Sequence, residues 1–167
     1  MRGRWAQGMA PRAFAWVIRD RLAVCERPGG YGPSHRRVRR SEEIVWVKAQ
    51  GFTTVVSTTA APHNAQAYED AGLPWFHVPF GTGDHPASVL SELYAVLQRL
   101  LGSGEQVLLH HDEAGDRLQG MVTGYLVYAG LVDEAPRAIA MVERLLHRPM
   151  GALGRELVAE AADLRPI

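Results

Sequence analysis

The segment Gln106-Val107-Leu108-Leu109-His110-His111-Asp112-Glu113-Ala114-Gly115-Asp116-Arg117 passes from an apolar run into a polar turn, and the small, apolar stretch Arg117–Leu131 follows it. Gln106–His110 reads as a short buried strand, and Arg117–Leu131 reads as a buried helix. The eight residues His110–Arg117 then form a turn from a strand into a helix N-terminus. In such a turn backbone N–H groups converge and the helix dipole adds partial positive charge. An Arg in the first helical turn can close a two-pronged hydrogen bond on a phosphate. The candidate anion cradle is therefore His111, Asp112, Glu113, Ala114, Gly115, Asp116 and Arg117.

The rest of the sequence supplies a matching framework. Phe14–Ile18 and Leu22–Glu26 flank Arg19-Asp20-Arg21 as a hairpin. Pro28–Arg40 is rich in Gly, Pro and Arg and reads as a loop, after which Ser41 is positioned to cap a helix that ends near Gly51. Thr53–Thr59 and Trp75–Phe80 read as strands, with a short helix, His63–Ala71, between them. Gly81–Pro86 is a loop, and Ser88–Leu101 carries an apolar stripe at helical spacing. Helices are also expected over Ala135–His147 and Leu153–Ala162. Strands alternating with helices imply an α/β domain whose central, mostly parallel sheet is flanked by helices, with ligands at the carboxyl ends of its strands. The 167 residues suit one domain, 1–167, with residues 1–12 expected to be flexible.

Composition narrows the function. Eighteen Lys and Arg balance 18 Asp and Glu, which argues against a dedicated nucleic-acid binder. The longest apolar runs are too short to span a bilayer. Cys25 is the single cysteine, so no internal disulfide can form, and the expected location is a reducing cytoplasm. Arg supplies 17 of the 18 basic residues, a bias that reads as a GC-rich bacterial genome.

The six-residue spacing from His111 to Arg117 resembles the motif of the small dual-specificity members of the protein tyrosine phosphatase superfamily: His-Cys, five residues, then Arg. The likeness extends to Phe14-Ala15-Trp16-Val17-Ile18 with Leu22-Ala23 and Arg27-Pro28, to Gly51–Ser57, and to Tyr125-Leu126-Val127. It implies the phosphatase fold over residues 14–148. It also implies a buried histidine at His110, a phosphate clamp at Arg117 and a general acid at Asp84, in the loop before the long helix. Asp84 reads equally well as a cap of the turn at His85-Pro86.

The departures are specific. His111 stands at the family's cysteine position, so no thiolate can form there. Ala114 stands where Gly is usual, Leu118 where a Ser or Thr hydroxyl follows the Arg, and Gln119 where a Gly follows that. Cys25 lies at a strand end, with Tyr31 six residues later, and reads as a structural cysteine. Asp112, Glu113 and Asp116 place three acids beside one Arg, which opposes a dianion unless the acids point away or other Arg residues offset them. The run Arg36-Arg37-Val38-Arg39-Arg40 is one source of such charge. His110, His111, Asp112, Glu113, Asp84 and His85 are metal-ligand types, but neighbours on a strand face opposite ways, and neither a metal nor a cofactor is expected.

The leading expectation is a pseudophosphatase that binds a phosphorylated or other anionic ligand, or a protein partner. The alternative is a phosphohydrolase with His111 as nucleophile, Asp84 as acid and Arg117 as clamp. A third reading is an interaction domain with an empty loop, in which Arg117 would pair with Asp112 or Asp116.

Overall fold

The computed structural model describes residues 8–166. Five strands, β1 (Ala15–Ile18), β2 (Leu22–Glu26), β3 (Thr54–Ser57), β4 (Trp75–His77) and β5 (Val107–His111), form one sheet in the order β1-β2-β5-β3-β4. Only the β1–β2 hairpin is antiparallel. The β2–β5, β5–β3 and β3–β4 pairings are parallel, so the sheet is mixed with a parallel centre.

Alternation along the central strands divides the interior into two cores. Leu22, Val24, Val107 and Leu109 face α3 (Pro86–Gly102), α4 (Asp116–Tyr128), α5 (Ala135–Leu146) and α6 (Ala152–Leu164). Ala23, Cys25, Val55 and Leu108 face the other way, toward Ile44 and Val47 of α1 (Arg37–Ala49) and Tyr68 of α2 (Ala65–Asp70). Residues 118–127 of α4 are all buried, as expected of a helix apolar on every side. Its small residues let α6 approach closely: a Cβ on Gly120 would stand 2.8 Å from the Gly154 backbone.

Several boundaries differ from the sequence reading, and three of them bear on the site or on the helices around it. The first helix begins at Arg37, four residues before Ser41, and Arg36 is its N-cap without a side-chain capping bond. The Arg39–Glu43 pair, four residues apart with Nε 2.6 Å from Oε1, holds this added turn. The third helix begins at Pro86. His111 pairs with Glu26 in the β2–β5 ladder and Asp116 is already helical, which shortens the turn to residues 112–115. Residues 1–7 of the segment expected to be flexible lie outside the described residues. Within the remainder, the Met9 N–H donates to Glu42 O, and Arg12 O accepts from the Glu26 N–H.

Candidate anion-binding site

The turn 112–115 sits at the carboxyl end of β5, between β2 and β3. The first helical hydrogen bond after it runs from the Gln119 N–H to Gly115 O, so the amides of the first turn of α4 have no intrahelical acceptor. A cavity of about 270 Å³ lies here, lined by His111, Asp112, Glu113, Gly115, Asp116, Arg117 and Leu153. Of the sequence candidates, Ala114 does not line it and packs against the core instead. Gly115 has φ −104° and room for a Cβ, so neither its backbone nor its surroundings demand glycine.

Of the three acids on the cavity wall, Asp112 and Asp116 are held by partners from other elements. Asp112 Oδ1 pairs at 2.8 Å with Nη1 of Arg27, whose side chain is 6% exposed. Arg27 is in turn fixed by Nε donating to Gly30 O, and Asn64 Nδ2 holds the adjoining Pro28 O. The Asp116 carboxylate accepts the Gly151 N–H at 2.6 Å and the Gly154 N–H at 2.8 Å, capping α6 from outside that helix. Glu113 is exposed beside Tyr31, whose phenol is raised by burial and by this carboxylate. Arg117 pairs with neither Asp112 nor Asp116. Its Nη1 donates to Phe80 O at 3.2 Å and its guanidinium lies 4.7 Å from the Phe80 ring centre, on the cavity wall.

His111 is held in one tautomer. Its Nδ1 is 3.1 Å from Thr58 O, a carbonyl that can only accept, so Nδ1 carries the proton. Thr58 Oγ1, 2.9 Å from the same nitrogen, donates its own proton to His110 O. Nε2 is therefore the lone-pair nitrogen. Burial lowers the His111 pKa, and the Arg117 charge adds to this against the opposing Asp112 carboxylate, which leaves the ring neutral at pH 7. His110 is fully buried, with Nε2 2.8 Å from the Tyr68 hydroxyl, and burial pushes its pKa down to about 3.

Other candidates do not line this cavity. Asp84 Oδ2 accepts the Gly81 N–H at 2.6 Å and closes its own loop, rather than capping the helix at Pro86. Cys25 is buried in β2 opposite His110, where burial raises its thiol pKa. Leu118 is fully buried in the core. The Arg run does not reach the cavity: Arg36 bonds to Pro33 O and His35 O, Arg39 holds Glu26 and Glu43, and Arg40 lines a different cavity. Among the described residues, no group of three His, Cys, Asp or Glu side chains could share a metal ion. No helix among them is long and apolar enough to cross a membrane.

Two contributors escaped the sequence reading. Arg27 neutralises Asp112 from 85 residues away. Arg148 lies over the loop, its Nη1 3.6 Å from where a Cβ on Gly115 would stand. His147, in the left-handed region at φ 52°, turns the chain there after α5. No local pattern distinguishes either Arg from its neighbours.

Neither family models nor curated proteins give a match to the sequence. Solved structures do. Kinase associated phosphatase, with its catalytic-site cysteine substituted by serine, matches at 19% identity and TM-score 0.74, over 93% of this chain and 97% of that one. Tk-PTP in its active form matches at 18% identity and TM-score 0.70, over 90% and 97%. Human DUSP28 matches at 14% identity and TM-score 0.68, over 93% and 97%. The fold is that of the dual-specificity and other protein tyrosine phosphatases.

Proposed function

We propose that this protein is a phosphatase-fold binder of phosphorylated or other anionic ligands that lacks cysteine chemistry. The observation that carries the reading is the diversion of the loop acids. With Asp112 on Arg27 and Asp116 on the α6 amides, an anion in the cavity meets Arg117 and the first-turn amides of α4, with the exposed Glu113 on the same wall and Arg148 outside it beside Gly115. The solved kinase associated phosphatase is described by a catalytic-site cysteine, whereas the sole cysteine here is sealed inside β2. The Asp84 carboxylate is occupied by the Gly81 N–H of its own loop, which supports a reading without proton donation.

Calorimetric titration with sulfate tests this reading. Saturable binding should weaken by roughly 30- to 1,000-fold in Arg117→Ala, the equivalent of about 2–4 kcal/mol for a desolvated charged contact. Arg117→Lys should weaken it less, because the fork is lost and the charge kept. Binding unchanged in Arg117→Ala would leave the interaction-domain reading, with a protein partner in place of the anion.

The Thr58 contacts favour one second reading. A fixed Nδ1–H tautomer presents Nε2 as a nucleophile, so His111 could accept a phosphoryl group from a phosphate ester as its P–O bond breaks, and return it to water. On the leading reading an aryl phosphate is not turned over. A chelator-resistant rate abolished by His111→Ala would replace that reading with phosphohistidine hydrolysis.

A further inference from the structure

A second cavity, of about 600 Å³, lies between α1 and the β3–α2 connection, and it shares no lining residue with the cavity at the 112–115 turn. Its size is in the range of small-molecule sites. Ile44 and Val45 from one side and Pro62, Ala65 and Ala67 from the other give it apolar walls. Arg40 is its one formal cation. The Arg40 stem packs against Gly29, where a Cβ would stand 2.6 Å from Arg40 Cβ, and Gly29 adopts φ +87°, so the backbone approaches the stem closely.

Arg40 is under-satisfied. Its Nε is buried without a hydrogen-bond partner, and no carboxylate among the described residues forms an ion pair with it. The neighbouring Arg39, by contrast, is bound to both Glu26 and Glu43. That nitrogen is sealed, so a ligand in the cavity meets the end of the same guanidinium, and a carboxylate is the group that accepts from its paired Nη donors. The remaining wall charges set the valence of the ligand. His63 is lowered by burial and by Arg27, so it is neutral at pH 7 and able to donate one hydrogen bond. Asp70, on the rim, accepts from Gln66 Nε2 at 2.8 Å and opposes any second negative charge.

We propose that this cavity is a separate binding site for a small monocarboxylate with an apolar body, its carboxylate on Arg40 and its chain along Ile44, Val45 and Ala65. It stands independently of the function assigned to the 111–117 loop.

Octanoate is a suitable probe, followed by amide chemical shifts on the full chain. Saturable shifts should centre on residues 40–45 and 62–71. Arg40→Met keeps the stem and removes the charge, and should weaken binding at least tenfold. Ala65→Phe fills the cavity without touching Arg40 and should weaken binding comparably. Arg117→Ala should leave the affinity within twofold, and inorganic phosphate should not displace the acid. The assignment is overturned by the absence of saturation at millimolar octanoate, by unchanged binding in both cavity variants, or by loss of binding in Arg117→Ala.

Discussion

Replacing Asp116 by Ala separates two roles for a carboxylate inside the candidate anion-binding loop. If the side chain caps α6, its loss removes two bonds to backbone N–H groups, at 2.6 and 2.8 Å, and leaves the α6 N-terminus without a side-chain cap. Loss of an N-cap costs about 0.5–2 kcal/mol, and a hydrogen bond to a charged group contributes roughly 1.5–3 kcal/mol where it is desolvated. Gly154 is buried and Gly151 exposed, so one of the two bonds counts near full value and the other much less. We expect a loss of about 2 kcal/mol in urea unfolding, or roughly a 4–8 °C lower midpoint for a domain of this size. Sulfate affinity should change little, because the carboxylate already faces α6. Asp116→Asn, which keeps one acceptor, should recover part of the stability. An unchanged unfolding midpoint together with markedly tighter sulfate binding would mean that Asp116 faces the ligand, and the diversion of the loop acids would have to be abandoned.

Gly120→Ala should destabilise the fold by about 1–3 kcal/mol in the same urea assay, since its Cβ would meet Gly154 Cα and O at 2.8 Å; a gain in stability would contradict the close α4–α6 crossing. His110 gives a pH signature. Its folded pKa of about 3 lies below the unfolded value near 6.5, so as pH falls the unfolded chain takes up the proton first. Its stabilising effect is complete above pH 6.5 and is lost between pH 6.5 and 3 at up to about 1.4 kcal/mol per unit, and His110→Gln should remove one proton's worth of that slope. Sulfate affinity should stay level down to pH 6.5 and rise only at lower pH, because burial lowers the His111 pKa and delays its gain of charge beside the anion. The same titration on His111→Gln should lose that component.

The parts of this molecule legible in its sequence are those set by short-range pattern. The hairpin, β3 and β5 announce themselves through β-branched and apolar residues that alternate between the two cores, and the stripe of α3 is unambiguous. The start of α1 was hidden because Arg36–Arg40 looks like a solvated charge run. It is helical from Arg37 because Arg39 finds Glu43 one turn later and Glu26 on β2. The spacing of His111 and Arg117 points to the turn after β5 as a candidate cradle, but not to the destinations of its acids. Arg27 lies 85 residues from Asp112, and Gly151 lies 35 from Asp116. Those pairings exist only once β2 lies beside β5 and α6 crosses α4. Asp84 was legible in two ways, as a proton donor through the family likeness and as a turn residue, and its bond to the Gly81 N–H three residues back gives the second its contact.

The two diverted acids also explain how such a loop keeps its shape without the family's usual glycine and hydroxyl. Asp112 ties the beginning of the turn to Arg27 at the end of β2, and Asp116 ties its end to the first turn of α6. Between these anchors only residues 113–115 are unsupported by side-chain ion pairs or caps, and Ala114 is seated on the core. Leu118 occupies the place where the family likeness expects a hydroxyl, and it is buried with Met121 and Val122. Restoring a polar side chain there would cost packing as well as a desolvated hydroxyl. The loop is thus held by ion pairing and apolar packing, and an anion bound in it need not organise the backbone. Ligand affinity and fold stability are therefore expected to respond to different residues: Arg117 for the former, Asp112 and Asp116 for the latter.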